Sequence, residues 1–270
     1  EQMEFLSMNN PPEGLREPTL LFSFAGWADA AESATHALRY VVRHLNGEKF
    51  AEVDPEEFYN FTRVRPKTKF DDAGERYIEW PANEFFYHVD DDPSRSLLLF
   101  IGTEPNLRWR AFSNLMVGVA DRCGVELVVS LGALLDAVPH TREPLVTGRA
   151  SSPELEQRVQ WLGVRSSGYQ GPTGIHTAFM DACTKKGLSQ ASIWGHSPHY
   201  VSTSPNPRVT HALLSRLKSL VEFDVSITGL LESAEGYVRE VDKAIEKQSN
   251  IKAYVKKLEQ RYDVASEGPK

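Results

Sequence analysis

Apolar and polar positions along this chain change period several times, and each change marks an element. Residues 19–24, TLLFSF, form a short apolar run that predicts a strand, broken by Gly26. Ala30, Ala34, Ala37, Leu38, Val41 and Val42 then recur at helical spacing, predicting a helix from about Asp29 to Leu45 that Gly47 ends. Residues 50–89 are less regular. Strands are expected at 49–53, 58–64 and 76–80, with the polar loop KTKFDDAGE between the last two, as an excursion at the sheet edge. The run at 95–101 is continuously apolar and reads as a central strand covered on both faces. A helix at 106–123 and a second buried strand at 125–131 follow. Residues 132–150 are loop-rich, with a short strand near 144–147. A helix starts at Pro153, capped by Ser151 or Ser152. A tight loop at 171–174 leads into a helix reaching Lys186, then a strand at 188–196 and a helix at 208–220. From 228 to about 262 the pattern is helical, with a break at Ser249–Asn250.

Strands alternate with helix-sized crossovers. That alternation predicts an α/β fold of three layers, α/β/α, built on a mostly parallel sheet. The long helices exclude a β-sandwich. The expected organisation is an irregular N-terminal arm at 1–18, one α/β domain at 19–225 and a C-terminal helical extension at 226–270, ending in a frayed SEGPK. In that extension Leu231, Ala234, Tyr237 or Val238, Val241, Ile245, Ile251, Val255 and Leu258 form an apolar stripe among mixed charges. The stripe must be buried, either on the parent domain or on a partner subunit.

Composition narrows the function classes. No apolar run approaches the ~20 residues that cross a bilayer, and no secretory signal is visible, so the expected location is the cytoplasm. The formal charge of -7, without a long basic block, argues against nucleic acid; Arg63, Arg65, Lys67 and Lys69 read as a solvated strand face. Cys123 and Cys183 read as buried thiols rather than a redox pair. No Walker A, GxGxxG or GxSxG pattern is present, so no cofactor is expected. His196 and His199 alone are too weak a pair to imply a metal.

In open α/β sheets ligands bind beyond the carboxyl ends of the strands, and four strand ends carry glycine followed by polar residues. They contribute Gly26, Trp27 and Asp29; Glu104; His140, Thr141 and Arg142; and His196, His199 and Tyr200. Gly171 and Gly174, at a helix start, add exposed N–H groups able to receive an anion. One crevice could collect all of these. Each also has a plainer reading: Asp29 as a helix cap, Trp27 as a packing or interface aromatic, Pro139–Arg142 as a loop held by its own hydrogen bonds. Ser130, Asp136 and His140 supply the residue types of a hydrolase triad without its spacing.

Taken together, FAGWADAAESA (24–34), TEPNLRW (103–109), VVSLGALLDAVPHTREPLVTGRAS (128–151), YQGPTGI (169–175), IWGHSPHYVSTSPNP (193–207) and HALLSRL (211–217) resemble the PAC2 family, named for proteasome assembly chaperone 2. The resemblance spans about residues 19–220, and the LGALLDAVPHTR and GHSPHY stretches are its most specific parts. It implies a three-layer fold akin to nucleoside phosphorylases and peptidyl hydrolases. It also implies self-association, as a homotrimer or another ring, and a non-enzymatic assembly role like that of the eukaryotic relatives in proteasome α-ring formation. It assigns no reaction to any residue. The alternative is an enzyme that binds a small anionic or nucleoside-like ligand in the strand-end crevice.

Overall fold

A strand that is apolar at every position needs neighbours on both edges and cover on both faces. Four segments are buried at most of their positions and come nearest to it: β2 (Thr19–Ala25), β7 (Leu97–Thr103), β8 (Leu127–Asp136) and β11 (Ser189–Pro198). The computed structural model describes residues 5–8, 10–92, 95–201 and 203–266. In it these four strands run parallel, side by side in the order β7-β2-β8-β11.

Around this centre the sheet changes direction. On one flank β6 (Asn83–His88), β3 (Glu48–Val53) and β1 (Leu6–Met8) add antiparallel strands. On the other, β9 (Val146–Ala150) pairs antiparallel with β11, and the short β10 (Arg165–Ser166) pairs parallel with β9. A separate hairpin joins β4 (Lys67–Phe70) to β5 (Arg76–Glu79). Among the described residues five of nine strand pairings are antiparallel, one of them in the separate hairpin, so the expected mostly parallel sheet is corrected to a mixed one. The physical reason lies in the connections. Residues 89–96 between β6 and β7 are too few for a crossover helix, so the chain can only turn back on itself.

Helices cover both faces. The 3₁₀ turn Ala30–Glu32, α1 (Ser33–His44), α3 (Pro153–Trp161) and α5 (Pro207–Val221) lie on one side, where Leu38, Val41, Leu213 and Leu217 pack against Leu21, Leu99, Val129 and Ile193. On the other side α2 (Trp109–Arg122) and α4 (Ile175–Lys185) pack Phe112, Met116 and Phe179 onto Phe22, Phe24 and Phe100. Alternating strand positions supply the two cores, as the pleat requires. Finally α6 (Thr228–Ile245) and α7 (Ser249–Ser266) form a helical pair, with Tyr237, Val241, Ile245 and Val255 closing a small cluster over Tyr200 and Val201. Of the expected SEGPK end, residues 267–270 lie outside the described residues, as does part of the expected arm at 1–18.

Several local expectations change. The segment at 58–64 is a turn, not a strand: Arg63 and Val64 donate their N–H groups to the Asn60 carbonyl. The expected polar loop contains β4, and the expected arm contains β1.

Candidate functional site

The strand-end residues separate into two groups, with Asp29 between them. At the first, β2 ends at Ala25 and Gly26 takes φ +131°, a conformation side chains resist. A Cβ there would stand 3.1 Å from Glu104 Cβ, and one at Gly174 would stand 2.8 Å from Glu104 Oε1. These two glycines therefore make the seat of the Glu104 side chain. Its carboxylate accepts the Ile175 N–H at 3.1 Å and so caps α4, placing negative charge at the positive end of that helix. Trp27 lies beside Gly174 with most of its surface exposed. Gly171 touches Tyr169, whose hydroxyl donates to the Pro172 carbonyl at 3.0 Å.

Asp29 is buried. Its Oδ1 accepts from the N–H groups of Ala34 and Thr35 at 2.8 and 3.2 Å, and its Oδ2 accepts from the Thr35 hydroxyl at 2.5 Å. It thus caps α1 from across the 3₁₀ turn, several residues before the helix proper. Burial raises its pKa above the usual carboxylate value, and the hydrogen bonds from Thr35 and Ala34 oppose that rise.

The second group is the loop after β8, clasped by the C-terminal helices. The Tyr200 hydroxyl accepts the His140 backbone N–H at 2.9 Å and lies 2.7 Å from His140 Nδ1. His140 Nε2 lies 3.1 Å from Asp242 Oδ1 on α6. One assignment satisfies all three groups: the Tyr200 O–H donates to Nδ1, and Nε2–H donates to Asp242. Burial pushes the Tyr200 phenol up to about 12, so it stays a donor. Thr141 donates to Glu259 at 2.5 Å, and Arg142 holds Asp263 through two bonds of 2.8 and 2.9 Å. That pairing lowers the Asp263 pKa. His199 Nδ1–H donates to the Asp136 carbonyl at 2.9 Å, and its ring meets Tyr200 and Tyr254 edge-on. His196 is tied to Asp136 and Thr147. Asp136 and His140 therefore face different partners, and the Ser130 hydroxyl bonds to neither, so the three assemble no triad. Among the described residues no group of three His, Cys, Asp or Glu is arranged to hold a metal.

Asp242, Glu259 and Asp263 were not among the sequence candidates. They lie more than 100 residues from the loop they bind, and on the sequence they look like ordinary solvated acids of an amphipathic helix. The only available signal was Glu259 and Asp263 four apart, on one helix face.

A mixed three-layer sheet whose post-β8 loop is clasped by a helical pair defines the class of protein. The chain belongs to the PAC2 family, whose sequence model matches residues 23–245. It is similar to a PAC2 family protein from Streptomyces avermitilis, with 37% identity, a TM-score of 0.78 and coverage of 88% of this chain and 99% of that one. It is similar also to the Mycobacterium tuberculosis proteasome-assembly chaperone homologue, with 34% identity, a TM-score of 0.79 and the same 88% and 99% coverage. A Corynebacterium glutamicum protein of unknown function matches at 27% identity and a TM-score of 0.86, covering 98% of this chain and 99% of that one. No curated protein matches the chain. No helix among the described residues is long and apolar enough to cross a membrane.

Proposed function

We propose that this protein is a non-enzymatic assembly protein of the cytoplasm, which associates with copies of itself and with other protein chains. The observation that carries this reading is the contrast at the carboxyl end of the sheet. The polar candidates there are engaged internally: Asp29 and Glu104 as caps, His140, Thr141 and Arg142 as the seat of α6 and α7. The apolar side chains at the same end are bare. Trp27 is 64%, Leu135 58% and Tyr169 67% exposed. Large exposed apolar and aromatic side chains are the usual anchors of protein interfaces. The kinship with the M. tuberculosis proteasome-assembly chaperone homologue favours proteasome α-subunits as the partner to test.

The experiment is light scattering after gel filtration, alone and with proteasome α-subunits, on the wild-type chain and on the double variant Trp27→Ser, Tyr169→Ser. The wild type is expected to be oligomeric and to retain α-subunits, and the variant to lose one or both. A wild type that is monomeric at micromolar concentration and retains no α-subunit would overturn the proposal.

A further inference from the structure

Between β3 and β6 the chain leaves the nine-stranded sheet and builds a second sheet of two strands, the β4–β5 hairpin. A two-stranded hairpin is marginal in water, and a third strand or a packed layer is what normally sustains one. Yet every residue of β4 is exposed, and in β5 only Glu79 is partly covered. The turn is nonetheless fully formed. Asp71 Oδ1 accepts from the N–H groups of Ala73 and Glu75 at 3.0 and 2.8 Å, and Gly74 takes φ +81°.

Opposite residues of an antiparallel pair share a face, so the register sorts this arm into two sides. Lys67 stands opposite Glu79 and Lys69 opposite Tyr77. That side is polar and carries the Lys69–Glu79 ion pair at 2.5 Å. Thr68 stands opposite Ile78 and Phe70 opposite Arg76, and the same alternation brings in Trp80. That side is apolar and bare: Phe70 is 68%, Ile78 54% and Trp80 45% exposed. Trp80 meets the Phe61 ring edge-on at 4.9 Å, at the foot of the arm.

Charge is uneven along the arm. Asp71, Asp72 and Glu75 stand exposed at the tip, and Arg65 and Lys67 stand exposed at the foot. Among the described residues none of these five takes part in an ion pair. A twofold contact requires a surface that is its own complement. The arm is such a surface. Turned end for end, its apolar side meets the same side of a second arm, and each acidic tip lies against the other's basic foot. Stacked tip to tip, the same two arms would set like charges together.

We infer that the apolar side of the β4–β5 arm is covered by the same arm of a second copy of this chain, the two packed antiparallel about a twofold axis. Ile78 of the two copies meets at the centre. Phe70 and Arg76 of each copy lie against Trp80 of the other, a cation beside an aromatic face. Asp72 and Glu75 of each pair with Arg65 and Lys67 of the other. Four strands in two layers then replace two strands in water. The inference rests on the self-association proposed above, and gives it a contact that shares no residue with the Trp27–Tyr169 surface.

The test is sedimentation equilibrium of the full chain across a concentration series, on the Trp27→Ser, Tyr169→Ser background, which removes the strand-end surface. A dimer is expected. Adding Phe70→Ser and Ile78→Ser is expected to weaken it by at least about tenfold. The thermal midpoint should stay unchanged, because both side chains are exposed. Charge reversal reads the antiparallel geometry. The foot variant Arg65→Glu, Lys67→Glu and the tip variant Asp72→Lys, Glu75→Lys should each self-associate about tenfold more weakly than their equimolar mixture associates. A background protein that stays monomeric throughout the series, its arm left for some other partner, overturns the inference. So does a Phe70→Ser, Ile78→Ser protein that dimerises as tightly as its parent, or a mixture no tighter than its components. None of these results bears on the Trp27–Tyr169 surface, which the wild-type comparison above reads separately.

Discussion

His176 makes acid a specific threat to this fold. Its ring is wholly enclosed by Phe22, Phe24 and Trp194, and the Leu131 carbonyl is its one hydrogen-bond partner among the described residues. Burial pushes its pKa down from 6.5 to about 4, and the bond to Leu131 only partly opposes that. Between those values the unfolded chain takes up a proton that the folded chain refuses, so stability rises with pH across the window and falls on acidification. The stabilising contribution is complete above pH 6.5 and is lost as pH drops toward 4. A difference of about 2.5 units at ~1.4 kcal/mol each gives a loss of about 3 kcal/mol by pH 4, roughly 2 of it by pH 5. Against a total stability of about 5–15 kcal/mol that is a large fraction. His36 and His211 are also held below their usual value by burial and act in the same direction. The comparison that isolates His176 is therefore wild type against His176→Gln, which keeps a side-chain N–H for Leu131 and does not titrate. Urea unfolding at pH 7.5, 6, 5 and 4 measures it. The stability difference between the two proteins should shift by about 3 kcal/mol in favour of the variant as pH falls. A difference that stays flat from pH 7.5 to 4 refutes the reasoning.

Three further outcomes are expected. Asp29→Ala leaves the N–H groups of Ala34 and Thr35 without their acceptor and should cost about 2–3 kcal/mol in urea unfolding, whereas Asp29→Asn, which keeps one oxygen and removes a buried charge, should cost under about half of that. Glu104→Ala removes the cap of α4 and should cost about 1 kcal/mol, with faster amide exchange confined to the first turn of that helix. Arg142→Ala should speed amide exchange throughout α7 while leaving α2 unchanged. In the wild type the same release should appear as pH falls through the lowered pKa of Asp263, since that carboxylate must be charged to hold Arg142.

The parts of the fold that could be read from the sequence are those where burial on both faces erases alternation. The runs in β2, β7 and β8 declared themselves as strands because most positions are apolar, while β11 did so on a shorter apolar core between Ser, Gln and His residues. Their direction relative to the flanks was not readable, because direction depends on how the chain returns rather than on any residue in the strand. The β6 segment NEFFYH hid for a related reason: Phe85 is buried, but Phe86 and Tyr87 are aromatic too and blur its period. At 58–64 the aromatics Phe58 and Tyr59 suggested a strand, and they are indeed buried. The backbone there instead turns on the carbonyls of Pro55 and Asn60. The helix break at Gly47 was visible because turn chemistry is local, and the one expected at Ser249–Asn250 falls at 246–248, just before α7 starts. The partners of His140 and Arg142 were not visible, since nothing in one sequence couples a loop to acids more than 100 residues away.

That separation also constrains the order in which the molecule can be completed. The bonds from His140, Thr141 and Arg142 reach partners 102, 118 and 121 residues further along the chain. During synthesis the β-sheet can form with every strand in hand while this loop still lacks Asp242, Glu259 and Asp263. A nascent chain that has passed β11 therefore carries an unfinished end, with a buried-type histidine still wet and Tyr200 uncovered, until α6 and α7 emerge. Among the described residues the clasp draws on the most C-terminal helices, so it can close only after α6 and α7 have both left the ribosome.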